Sequence, residues 1–154
     1  MSAVDGLREL VDAYAVAVDS RDVGLCASLW AEGAILVTHG ATAPGSRAEL
    51  EMPRETERFM NRLRRWDRTL HYVSTHHVVS RGSDAAVGRA YCEAHHILGE
   101  SDLVMAVQYD DAYSKSECGW RFARRDVWIL WTIENQISPR TVAPTDDAPD
   151  LAPE

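Results

Sequence analysis

The chain predicts an α+β fold in which helices come first and a sheet follows. Three observations carry that reading. Leu7, Leu10, Val11, Tyr14 and Val18 recur at helical spacing near the start and make one apolar stripe. Four long β-like runs then follow one another, at about 67–81, 84–98, 102–115 and 119–134. The connections between them, RGSD, LGES and SKSECG, are turn sequences of the kind that join an antiparallel meander. Helices gathered in one half and strands in the other predict a sheet wrapped around the helices.

Taken in order, residues 2–23 read as a helix whose start Ser2 or Asp5 can cap. A short second helix is expected from Val23 to Trp30, and a strand over Ala34–Thr38 closed by Gly40. ATAPGSR reads as a loop. Arg47 to Arg65 reads as a further helix burying Leu50, Phe59, Met60 and Leu63, with Pro53 near its start or dividing it. The meander completes one domain over 1–137. The last 17 residues, 138–154, hold four of the six prolines and a surplus of acid. They are expected to be disordered or to pack on a neighbouring subunit.

A chain of 154 residues is long enough to bury one sizeable core. Its net charge of −8 argues against a phosphate-backbone partner, and Arg62-Leu63-Arg64-Arg65 reads as the solvated end of a helix. Three scattered cysteines (Cys26, Cys92, Cys118) fit neither a disulfide framework nor a metal clip, so free thiols in a reducing compartment are expected. MSAVDGLREL does not read as a signal peptide, and no stretch approaches the roughly 18 apolar residues that cross a bilayer. A cytoplasmic protein without membrane contact is the expectation.

The run 84–98 is the most informative. Its even positions, Ala86, Gly88, Ala90, Cys92, Ala94, His96 and Leu98, form a small apolar face, while Val87, Arg89, Tyr91, Glu93, His95 and Ile97 form a mixed polar one. Small side chains on the concave side leave room for a ligand, and His96 stands near the end of that face. A core histidine bonded to a backbone carbonyl is the competing account of it. His71 opens the run 67–81, and Asp19 closes the first helix, where the helix dipole disfavours a carboxylate. Tyr14 lies on the buried stripe and needs a partner for its hydroxyl. His76-His77 and His95-His96 are adjacent pairs whose members point to opposite faces of a strand, so neither is expected to chelate a metal. No phosphate loop, nucleophile elbow or dinucleotide fingerprint is present, and no cofactor is expected.

The front segment YAVAVDSRDVGLCASLWAEGAIL, with Tyr14, Asp19 and Asp22 at family spacing, resembles the SnoaL-like branch of the NTF2-like superfamily. TLHYVSTHHV, AVGRAYCEAHHI and GWRFARRDVW fall where that family has strands, and the resemblance spans about 5–135. It implies a cone whose curved sheet encloses an apolar pocket. Within the branch, scytalone dehydratase and hexachlorocyclohexane dehydrochlorinase pair a helix-end Asp with a strand His, which Asp19 and His71 match. His96 keeps the spacing of a second histidine in scytalone dehydratase, and Tyr14 matches an active-site Tyr of bile acid 7α-dehydratase. Val18 and Thr38 stand where scytalone dehydratase has substrate-binding tyrosines, so a different substrate is implied.

The resemblance thus implies a lyase, foremost a dehydratase, acting on a mostly apolar cyclic molecule with Asp19, His71, His96 and Tyr14 as candidate catalytic residues. An isomerase or cyclase using the same pair is the alternative. A ligand-binding or assembly module is a third reading, favoured if Asp19 and His71 lie more than about 4 Å apart or if tryptophans fill the pocket. A homo-dimer or homo-trimer is expected through the outer sheet face, since Val127–Trp131 is apolar at every position.

Overall fold

The computed structural model describes residues 3–140. Helix α1 spans Ala3–Ser20 and α2 spans Val23–Ser28. Strands β1 (Trp30–His39) and β2 (Arg47–Met52) precede helix α3 (Thr56–Leu63). The meander is β3 (Arg68–Arg81), β4 (Ala85–Leu98), β5 (Ser101–Ser116) and β6 (Gly119–Gln136). The six strands form one sheet in the order β2-β1-β6-β5-β4-β3. Every pairing is antiparallel except β1 with β6. The capping roles expected for Ser2 and for the side chain of Asp5, and residues 141–154 of the expected tail, lie outside what is described.

Helix α1 lies across the inner sheet face because its stripe is apolar along its length: Leu7, Leu10, Val11, Tyr14, Ala17 and Val18 are all buried. The Arg8 guanidinium fixes the helix to β3 by donating to the carbonyls of Val73 and Ser74, at 3.1 and 3.2 Å. Those carbonyls sit at a bulge between Val73 and His76, where β3 gains a residue on β4 and its side-chain parity reverses.

One expected element is corrected. Arg47–Met52 is a strand paired with β1, and the helix covers only Thr56–Leu63. Within RAELEM the exposed Arg47 and Glu49 alternate with the more buried Ala48, Leu50 and Met52, a period of two. Pro53 also disfavours a helical conformation at the residue before it. Of the two placements open to Pro53, it separates strand from helix.

The inward face of β4 alternates as expected up to His96, with Ala86, Ala90, Cys92, Ala94 and His96 buried, but Leu98 at the strand's end is exposed. The space above its first half is filled, however. A Cβ added to Gly88 would stand 3.2 Å from the Tyr113 ring. The centre of the core is a charge: Arg125 is fully buried and forms a bidentate pair with Asp111, at 2.7 Å for both bonds. Its guanidinium carbon lies 4.4, 4.1 and 4.2 Å from the ring centroids of Tyr14, Tyr109 and Phe122. Tyr113 donates to Asp111 at 2.8 Å and meets His76 Nε2 at 3.0 Å. A shift between β5 and β6 at Ala112/Tyr113 turns Arg125, rather than Arg124, inward to face Asp111.

A buried ion pair is most costly when one partner is removed. Asp111→Asn removes the charge facing Arg125 and is expected to lower unfolding stability by about 3–5 kcal/mol, measured by urea denaturation. A loss under 1 kcal/mol would show that Arg125 needs no counter-charge.

Candidate active site

The end of α1 is built to hold a carboxylate against β3. The helix closes with Arg21 in the left-handed region (φ 59°). The Asp22 N–H bonds the Ala17 carbonyl at 3.0 Å and the Arg21 N–H bonds the Val18 carbonyl at 3.3 Å. This is a Schellman closure, in which glycine usually takes the left-handed position. Arginine there costs roughly 1–2 kcal/mol of backbone strain, and its side chain makes contacts glycine could not. One guanidinium nitrogen donates to the Val18 carbonyl and to Thr69 Oγ1, both at 2.6 Å, and another to the Leu63 carbonyl at 3.3 Å. Arg21 therefore joins the ends of α1 and α3 to the start of β3.

Asp19, within that closure and two residues before Arg21, receives three hydrogen bonds. Thr69 Oγ1 donates to Oδ1 at 2.9 Å, the His71 backbone N–H to Oδ2 at 2.8 Å, and His71 Nδ1 lies 2.6 Å from Oδ1. The geometry orients the imidazole with Nδ1 toward the carboxylate and leaves Nε2 for the cavity that the ring lines. The separation is well inside the 4 Å limit that would have favoured a purely binding module.

Antiparallel register brings His96 to the same place. Thr69 faces His96 and His71 faces Ala94, so the two histidines are diagonal neighbours on the inner surface. Their ring centroids are 5.7 Å apart and nearly perpendicular, at 75°. Trp66 presents an edge-to-face contact to His96 at 5.3 Å. Burial, and next the neighbouring His71, push the His96 pKa down to about 4. The ring is therefore neutral near pH 7. Its Nδ1 is buried and makes no hydrogen bond of ordinary geometry among the described residues, while an interaction with the Ala94 backbone opposes the downward shift without reversing it.

Both histidines line a cavity of about 510 Å³ whose walls include Val18, Phe59, Ala94, Met105, Val107 and Ile129. Val18 and Thr38, the positions expected to shape the substrate, both line it. Tyr14 contributes its ring to the wall, stacked on Phe59 and covering Arg125. No hydrogen bond joins its hydroxyl to Asp19, His71 or His96 among the described residues, and burial raises its pKa well above the ordinary phenol value. The structure thus unites Asp19, His71 and His96, and places Tyr14 in the same wall as an aromatic surface. Cys92 is buried with its thiol pushed up to about 11, which suits packing and not nucleophilic attack. Of the tryptophans that could have filled the cavity, only Trp66 lines it. Trp30 is buried beside Tyr14, while Trp128 and Trp131 are exposed.

Sequence reasoning missed Arg21 and Thr69. Thr69 carried a usable signal, since it has the same parity as His71 on one strand. Arg21 carried none, because only the backbone shows that it occupies a glycine-like position.

Comparison with known proteins adds the family. The SnoaL-like domain matches residues 1–126. No curated protein matches at a significant level. Among solved structures, hexachlorocyclohexane dehydrochlorinase LinA-type3 from Novosphingobium barchaimii LL02 superposes with a TM-score of 0.75 at 19% identity, over 88% of this chain and 94% of that one. A proposed scytalone dehydratase from Novosphingobium aromaticivorans DSM 12444 gives 0.71 at 17% identity, over 95% of each chain. An NTF2-like protein with a cystatin-like fold from Novosphingobium aromaticivorans gives 0.67 at 20% identity, over 82% of this chain and 80% of that one. At such identities the likeness speaks for the fold. With the family match covering most of its length and the curved sheet closing on its N-terminal helices, the chain belongs to the SnoaL-like family and has the NTF2-like cone fold.

Proposed function

We infer that the protein is a lyase working by proton transfer, foremost a dehydratase, on a mostly apolar cyclic molecule. The 2.6 Å contact between Asp19 Oδ1 and His71 Nδ1 in the wall of an apolar cavity carries this reading. His71 Nε2 takes a proton from the carbon beside the leaving group, since an imidazole is suited to base catalysis near neutrality. Asp19 stabilises the imidazolium that forms. The C–H electron pair becomes the new double bond as the carbon–oxygen bond breaks, and the departing hydroxide takes up a proton to leave as water. His96, neutral and desolvated, is equipped to donate a hydrogen bond to that oxygen. With so low a pKa it is not a proton source at pH 7, so the proton comes from the His71 imidazolium or from water. Base, carboxylate and donor account for the reaction without a cofactor. The cavity volume lies within the roughly 300–1,000 Å³ range of small-molecule sites. The exposed Trp128, Leu130, Trp131 and Ile133 support a homo-oligomer covering that face, and the buried free thiols Cys26 and Cys92 suit a reducing, cytoplasmic setting.

The test is a panel of cyclic β-hydroxy and β-chloro compounds followed by mass spectrometry. Elimination by the wild-type chain, lost by about 10²–10⁴-fold in both His71→Gln and Asp19→Asn, is the expected result. Undiminished elimination in His71→Gln contradicts the assignment, and products of unchanged mass would establish isomerisation or cyclisation instead.

The depressed His96 pKa also predicts a stability profile. The unfolded ring titrates near 6.5 and the folded one at about 4, so the folded state binds fewer protons between those values. Stability from this group is complete above about pH 6.5 and is lost as pH falls toward 4. The loss across that window is roughly 3 kcal/mol. Urea titrations at several pH values should show a flatter acid limb in His96→Gln than in wild type. Parallel limbs would mean that His96 is solvated.

A further inference from the structure

The cavity has a charged mouth that the elimination chemistry leaves unused. The end of α3 and the turn after it contribute Arg62 and Arg65 to the lining. Their neighbours in sequence are satisfied: Arg58 pairs with Glu55, and Arg64 pairs with Glu57 while also bonding Asn61. Arg62 and Arg65 make no ion pair among the described residues, although carboxylates outnumber basic side chains in this chain by 24 to 16. The Arg65 guanidinium lies 5.0 Å from the Trp66 ring centroid, and that indole in turn meets His96. A helix C-terminus favours cations, which accounts for arginines on this segment. It does not account for the two unpaired ones lining the opening while the paired Arg64 does not.

We propose that Arg62 and Arg65 form an anion-recognition subsite, so that the substrate is an apolar ring system bearing an oxyanion head group, a carboxylate or a phosphate. This rests on the reading of the cavity as a substrate site. The apolar wall accepts the ring body and brings it to His71 and His96, while the two guanidinium groups hold the head group at the mouth. Guanidinium suits the task because its planar fork matches oxyanions and is weakly hydrated. A low-dielectric wall on one side strengthens the attraction and draws anions to the opening.

The subsite is tested by calorimetric titration of the full chain with 2-naphthoate, 2-naphthyl phosphate and the neutral 2-naphthamide at low ionic strength. At least one anion is expected to bind about tenfold or more tightly than the amide, with the tighter anion identifying the head group. Raised salt should narrow that difference. Arg62→Gln/Arg65→Gln should abolish the preference and leave amide affinity unchanged, and His71→Gln should retain it. Equal affinities for the three probes, no anion binding at millimolar concentration, or a preference surviving in the double arginine variant would overturn the proposal. So would a preference lost in His71→Gln, which would place the anion on the imidazole. Binding requires no turnover, so an inert Asp19–His71 pair would defeat the lyase reading while leaving this result intact.

Discussion

The architecture of the site depends on one carboxylate. Asp19 occupies the end of a helix, where the dipole opposes a negative charge, and is partly withdrawn from water. Three donors from β3 offset that cost: the Thr69 hydroxyl, the His71 backbone N–H and the His71 ring. Charge-assisted bonds of this kind are worth more than neutral ones. The same three bonds dock the helix end to the strand, so the interaction that orients the base also sets the distance between the layers. Arg21 completes the joint by bonding Thr69 and the carbonyls of Val18, Asp19 and Leu63 from a strained backbone position. Strain kept beside a functional group is tolerated where surrounding contacts over-determine it.

The core explains why the cavity lies where it does. Along β4 the small inward residues offer space throughout, yet Tyr109, Tyr113 and the Arg125–Asp111 pair occupy it over the first half. Only beyond Cys92, where Ala94 and His96 face Met105 and Leu103 across β5, does the space stay open. The aromatic rings around Arg125 thus have two faces of use. One shields the guanidinium, and at Tyr14 and Tyr109 the ring also forms the floor of the cavity.

Much of this was legible in the sequence, because burial on one face imposes a period that residues display openly. The stripe of α1, the four meander strands and the inward face of β4 follow from periodicity, and with them the placement of His96. The Asp19–His71 pairing was legible only through family resemblance, since nothing local links residues 52 positions apart. What stayed hidden shares one cause. A bulge is a single extra residue that reverses parity without any compositional mark, so neither the inward turn of His76 nor that of Arg125 could be anticipated. Strand β2 was misread because its glutamates and Ala48 suit a helix, and pairing with β1 overrode that propensity. Arg21 was hidden because left-handed backbone normally selects glycine.

The account turns on the state of one ring. If Asp19 fixes His71, the neutral imidazole carries its proton on Nδ1 and presents an unprotonated Nε2 to the cavity. Nitrogen-15 NMR of histidine-labelled protein at pH above the imidazole titration reads this directly, since protonated and unprotonated ring nitrogens resonate far apart. The account predicts an Nδ1-protonated tautomer for His71 that is lost in Asp19→Asn. A His71 ring protonated on Nε2, or averaging freely between tautomers in the wild-type protein, would contradict it.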